Sequence, residues 1–80
     1  MKIENTLDYG MNILKANKIQ NPYLDSEILL SESIKKNKKH IILNSKETLS
    51  REQLKNFYNF IERRKKGEPI AYLINKKEFW

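Results

Sequence analysis

Between Ser50 and Pro69 every local signal agrees on one α-helix with defined ends, and no other segment constrains the chain as much. Ser50 and Gln53 form an S-x-x-Q capping box, in which each side chain serves the other residue's backbone N–H. Leu54, Phe57, Tyr58 and Ile61 then fall at i, i+3, i+4 and i+7, one apolar stripe at helical period. Arg63-Arg64-Lys65-Lys66 set cations against the negative end of the macrodipole. Gly67 suits a left-handed residue just past the end, and Pro69 prevents continuation.

The remaining segments read the same way. Residues 5–18 predict a first helix with Asn5 as N-cap and Leu7, Met11 and Leu14 on one face. Gly10 costs that helix about 1 kcal/mol relative to Ala, so a close helix crossing is expected there. Lys18-Ile19-Gln20-Asn21 break the pattern. Pro22 suits the first turn of a second helix capped by Asn21 and running to about 33–36. Leu24 and Ile28 mark one apolar row, and Tyr23, Leu30 and Ile34 an adjacent one. A face that wide predicts a helix packed between others. After the basic connection Lys35–Lys39, His40-Ile41-Ile42-Leu43 fits a helical turn or a brief strand, and periodicity does not separate them. No second strand lies nearby, which favours helix. Residues 69–73 fit one further turn, and Asn75-Lys76 has turn chemistry. Two large aromatics, Phe79-Trp80, make a poor natural ending and predict a cut inside a longer protein. The fold class expected is all-α: a small four- to five-helix bundle with an extended tail.

Eighty residues allow one small domain. No apolar run approaches the ~18–20 residues of a membrane span, and Met1–Asn5 lack a leader's apolar core, so a cytoplasmic protein without membrane contact is expected. Zero cysteines exclude a disulfide framework, a thiolate metal site and a Cys nucleophile. Small-molecule pockets occupy about 300–1,000 Å³, which a single small helical core rarely holds. The one histidine, His40, has no Asp, Glu or Cys at metal spacing and reads as structural. Asp25/Glu27 and Glu47/Glu52 read as solvated or locally paired carboxylates. Ser31 and Ser33 have no base partner. Phe57, Tyr58 and Phe60 read as core rather than a stacking platform. No catalytic, cofactor-binding or metal-ligating residue is therefore assigned.

A net charge of +6 favours an acidic partner. Only Arg51, Arg63 and Arg64 of the sixteen cations are arginine, the residue suited to bidentate base and phosphate recognition. Two runs are candidate partner-facing groups: Lys35, Lys36, Lys38 and Lys39, and Arg63 with Arg64. The helix-end explanation outweighs the functional one for Arg63–Lys66, whereas the two balance for Lys35–Lys39. No RNP or zinc-finger signature accompanies either run, so nucleic acid is the runner-up. Candidate docking positions lie beside Lys35–Lys39 and on the outer face of the fourth helix.

The stretch Arg63-Arg64-Lys65-Lys66-Gly67-Glu68-Pro69-Ile70-Ala71-Tyr72 through Glu78-Phe79-Trp80 closely resembles the R-R-x-x-G-E-P-x-A-Y…E-F-W segment of the HemK/PrmC family. Leu24-Asp25-Ser26-Glu27-Ile28-Leu29-Leu30 and Ser50-Arg51-Glu52-Gln53-Leu54 resemble that family's second-helix pattern and a later helix start. The resemblance covers nearly the whole chain, and its G-E-P-x-A-Y…E-F-W portion is the specific part. It implies an enzyme that methylates a glutamine of class-one peptide chain release factors with S-adenosylmethionine. It further implies a helical bundle, residues 1–68, and the start of an interdomain linker, residues 69–80, leading to a Rossmann-like methyltransferase domain. The family's Gly-rich cofactor loop and N-P-P-Y motif are absent from these residues, so no catalytic or cofactor role carries over. Gly67, Glu68, Pro69, Tyr72, Glu78, Phe79 and Trp80 carry over as bundle end and linker entry, with Tyr72, Phe79 and Trp80 expected to seat the linker. Asn75 stands where the family has Gly. The implied partners are the release factor and the chain's own catalytic domain. A basic module for RNA or the ribosome, and a brace for the catalytic domain, are the alternatives.

Overall fold

The punctuation read in the sequence sets most element ends. In the computed structural model, which describes residues 1–74, Ser50 Oγ accepts the Gln53 N–H at 3.1 Å and Gln53 Oε1 accepts the Ser50 N–H at 2.8 Å. That capping box opens α4 (Arg51–Lys65), and Gly67 follows its end at φ +104°. Pro22 opens α2 (Pro22–Ile34), although Asn21 contributes no side-chain cap. Lys35 ends α2 in the left-handed region at φ 60°, where the Lys36 N–H reaches back to Ser31 O at 3.2 Å. The ambiguous apolar triplet is helical. Asn37 Oδ1 accepts the His40 N–H at 2.9 Å and starts α3 (Lys38–Leu43) two residues before the expected turn. Pro69 O accepts the Tyr72 and Leu73 N–H groups at 3.1 and 3.3 Å, next to α5 (Ile70–Ile74). The described residues are thus all-α, with α1 (Ile3–Ala16) completing five helices.

α1 departs from expectation at both ends. It starts at Ile3, and Asn5 lies inside it rather than capping it. The reason is tertiary: the Ile3 and Glu4 N–H groups donate to Glu47 O (2.9 Å) and Ser45 O (3.0 Å), satisfying first-turn donors from the segment before α4. Lys2 bridges Thr48 there in an isolated antiparallel pair. At the other end Lys18 turns left-handed (φ 62°) and donates to Lys15 O, while Ile19 donates to Leu14 O, both at 3.0 Å. This is a Schellman closure, with partly buried Ile19 packing on the core that contains Leu14.

α2 lies centrally, packed against each of the other four helices. The crossing expected at Gly10 is real. A Cβ there would stand 2.5 Å from Ser26 Oγ, 2.6 Å from Phe57 Cζ and 2.9 Å from Ile61 Cδ1, so α1, α2 and α4 meet on bare backbone. The buried Ser26 hydroxyl donates across the crossing to Leu7 O at 2.9 Å. The inward face of α2 differs from the one read off its large apolar residues. Leu24 and Tyr23 are 48% and 47% exposed, and the core stripe is Ser26, Leu29, Leu30 and Ser33 with Ile34. Two serines disguised that stripe. Each donates its hydroxyl to a backbone carbonyl, Ser33 to its own helix at Leu29 O, and so sits in an apolar core without an unmet donor.

Candidate functional site

The basic end of α4, beyond complementing the helix dipole, holds the chain that leaves the bundle. Arg63 presents Nε and Nη2 to the two carboxylate oxygens of Glu68, at 2.9 and 2.8 Å. Arg64 directs Nε to Asp25 Oδ2 on α2 at 2.9 Å and Nη1 to the Glu68 carbonyl at 3.0 Å. The two arginines therefore clamp the turn at Gly67-Glu68 to α2. The Arg63 hydrogen bonds hold the Glu68 carboxyl below its ordinary range, and the same bonds raise the Arg63 guanidinium. Leu73 is buried beyond the clamp, with Ile70 and Ile74 packing partly on the core. Tyr72 is 76% exposed, so Leu73 and not Tyr72 seats this segment on the bundle. Helical phase explains the exchange, because adjacent positions on a single turn point about 100° apart. Glu78, Phe79 and Trp80 lie outside the described residues.

The reading of Asp25 and Glu27 as solvated or locally paired is corrected. They are 7% and 5% exposed. Asp25 pairs with Arg64, and Glu27 lies 3.4 Å from Lys38 Nζ. Both partners sit on other helices, which no local pattern announces. Glu47 meets His40 Nε2 at 2.9 Å, giving the histidine a structural partner. Ser33 donates its hydroxyl to Leu29 O, and Ser31 donates to Lys36 O. Among the described residues no group of three or more His, Cys, Asp or Glu side chains is arranged to hold a metal ion.

The two cationic runs end in different settings. Arg63 and Arg64 are engaged in the clamp. Lys35 pairs with Glu32 at 3.0 Å and Lys38 with Glu27, while Lys36 on the α2–α3 connection and Lys39 in the first turn of α3 stand exposed. Beside that connection the surface is apolar. Tyr23 and Leu24 on α2 meet Ile42 on α3 around a shallow depression that Lys38 also lines. Ile42 is 59% exposed and Leu43 70%. Sequence reasoning had not marked Tyr23, Ile42 or Leu43 as surface groups, though a signal existed. A one-and-a-half-turn helix carrying three consecutive apolar residues can turn only one of them inward, and that one is Ile41.

A family model described as the PrmC N-terminal domain matches residues 5–74. The chain is 50% identical over 68 residues to the release factor glutamine methyltransferase of Buchnera aphidicola subsp. Schizaphis graminum, covering 85% of this chain and 25% of that protein. The same-named protein of Buchnera aphidicola subsp. Baizongia pistaciae is 44% identical over 80 residues, 100% of this chain and 28% of the relative. A bifunctional methyltransferase of Rickettsia bellii is 35% identical over 78 residues, 98% of this chain and 14% of the relative. The chain thus spans about a quarter of the length of the first curated relatives it matches. No solved structure matches it at a significant level.

Proposed function

The chain belongs to the PrmC N-terminal domain family, and from that membership we propose that it is the substrate-docking domain of an S-adenosylmethionine-dependent glutamine N5-methyltransferase acting on class-one peptide chain release factors. In this reading residues 1–68 are the bundle, residues 69–80 begin the linker, and a Rossmann-like domain beyond them binds the cofactor and transfers the methyl group. The enzyme works in the cytoplasm, where release factors act. No residue of this chain touches the reacting atoms.

The observation that carries the reading is the apolar face of Tyr23, Leu24, Ile42 and Leu43 beside the lysines of the α2–α3 connection. A single glutamine amide offers an enzyme little binding energy. Contacts made elsewhere on the substrate protein can hold that amide in a reactive geometry. Exposed apolar side chains supply the contact area, and Lys36 and Lys39 steer an acidic surface toward it. The outer face of α4 suits the role less, since Arg51, Lys55, Asn59 and Glu62 make it polar. The clamp favours a second, compatible role as a brace, because it fixes the exit direction of the chain toward the catalytic domain.

The test is an NMR titration of the isotope-labelled chain with a class-one release factor at two salt concentrations, with a short RNA in parallel. Shift changes at Tyr23, Ile42 and Leu43 that persist at the higher salt and vanish in Leu43→Asp are expected. Absence of shifts with the release factor would leave bracing alone. Shifts with RNA only, lost as salt rises, would mark a generic polycation.

A further inference from the structure

One carboxylate of the apolar face is buried with a poor partner. Glu27 follows Tyr23 and Leu24 on α2 by four and three residues, a spacing that places all three on one side of the helix. It lines the depression bounded by Tyr23, Leu24 and Ile42, and also a second hollow shared with Ile28 and Ile74. A residue only 5% exposed that still lines two hollows forms part of their floor. Burying a carboxylate is costly unless it is paired and hydrogen-bonded. Among the described residues Glu27 has one side-chain partner, Lys38 Nζ at 3.4 Å, and no side-chain hydrogen bond. Neighbouring carboxylates are better served: Asp25 accepts a 2.9 Å bond from Arg64, and Glu68 takes both arms of Arg63.

The lysine is easily replaced. Its side chain is 65% exposed, so the ammonium can return to water while Glu27 stays in place. An ammonium is a compact, strongly hydrated point charge, whereas a guanidinium gives up water more readily and offers parallel donors to both carboxylate oxygens. The depression measures about 550 Å³, against the ~30 Å³ of one water molecule, so it has room for a long side chain. Tyr23, Leu24 and Ile42 provide apolar walls for the methylene stem. We propose, resting on the docking reading above, that Glu27 is the anchor of the docking face: an arginine of the partner protein enters the depression, displaces Lys38 and forks onto the Glu27 carboxylate. In the free domain Lys38 holds the place of that guanidinium and keeps the buried charge paired. Once displaced, it joins Lys36 and Lys39 in facing acidic groups around the arginine, so the partner surface is an arginine set among carboxylates.

Titration of the isotope-labelled chain with a class-one release factor, repeated with variants and read from the folded-state resonances, tests this. Glu27→Gln keeps the side-chain shape and leaves Lys38 in solvent, so the fold should persist, which chemical denaturation checks. It should weaken the release factor by about tenfold or more. Lys38→Met keeps the stem and removes the competitor, so affinity should rise severalfold. In a Glu27→Gln background the same change should bring no gain. A release factor carrying nitrogen-15 in its arginine side chains should show an Nε–H protected from exchange in the complex with the unsubstituted chain, and not with Glu27→Gln. Unchanged affinity in Glu27→Gln, with binding abolished by Leu43→Asp, would overturn the anchor and leave the docking face standing. Weaker binding by Lys38→Met would also overturn it, because a lysine that only steers an acidic surface gives that sign. Failure of the unsubstituted chain to bind would remove the docking reading first and the anchor with it.

Discussion

Two junctions hold this bundle, and they are built on opposite principles. At Gly10 three helices meet with nothing between them but Ser26, Phe57 and Ile61, all essentially inaccessible to water, and one hydroxyl-to-carbonyl bond. At the end of α4 two guanidiniums and two carboxylates join α4, α2 and the turn before α5, all partly in contact with solvent. A dry junction rewards volume match and tolerates no added atom. A half-buried ionic junction gains little stability from its exposed Arg63–Glu68 pair but fixes orientation through the fork geometry of arginine. The first junction decides whether the domain folds, and the second decides where the chain leaves it.

The largest expected effect tests the dry junction. Phe57→Ala should cost about 3–5 kcal/mol, a large share of the about 4–12 kcal/mol that a chain of this size commands at 0.05–0.15 kcal/mol per residue. Chemical denaturation would show the midpoint collapsing, and a loss below about 1 kcal/mol would remove Phe57 from the centre of the comparison. Gly10→Ala comes next. Helix propensity alone predicts a gain of about 1 kcal/mol, while overpacking at such distances costs about 1–3 kcal/mol. Net destabilisation is expected, smaller in a Phe57→Leu background where the ring no longer crowds the new methyl. A stabilised Gly10→Ala would break the account of the crossing.

The clamp should respond differently. Arg64→Ala strands the nearly buried Asp25 carboxylate and should cost about 1–3 kcal/mol globally, yet speed amide exchange at Leu73 far more than at Phe57. Equal acceleration at both sites would mean that the clamp is simply part of the core. The smallest effect is in pH. Because Arg63 depresses the Glu68 carboxyl in the folded chain, its contribution is complete above the ordinary value near 4.5 and is lost as pH falls through the lowered one. A carboxyl-detected NMR titration should place the Glu68 midpoint below 4.5, and Arg63→Ala should return it toward that value.

Much of the secondary structure was legible because it is governed by contacts within four residues. The Ser50–Gln53 box, Pro22 at a first turn, Gly67 past a last one and the odd Gly10 all carried their meaning locally, and the structure honours each. The site was less legible. Glu68 and Arg63, five residues apart, stand in a motif whose resemblance already pointed to the bundle end, but the role of Arg64 depends on Asp25, thirty-nine residues away. Tyr72 was the residue expected to seat this segment, and only the orientation of α5 shows that Leu73 does so instead.

What the amino-acid sequence determined by itself is therefore the alphabet of the fold: where most helices start and stop, the place of the tight crossing, and the family to which the chain belongs. Capping, backbone preference and period act over one or two turns, and such forces can be read in order along a chain. Tertiary structure alone decided that α1 would begin at Ile3 against the carbonyls of Ser45 and Glu47, that α2 would bury two serines and two carboxylates while exposing Leu24, and that α3 would turn Ile42 and Leu43 outward. Those outcomes depend on which distant groups arrive to satisfy a donor, a charge or a volume, and only the assembled bundle brings them together.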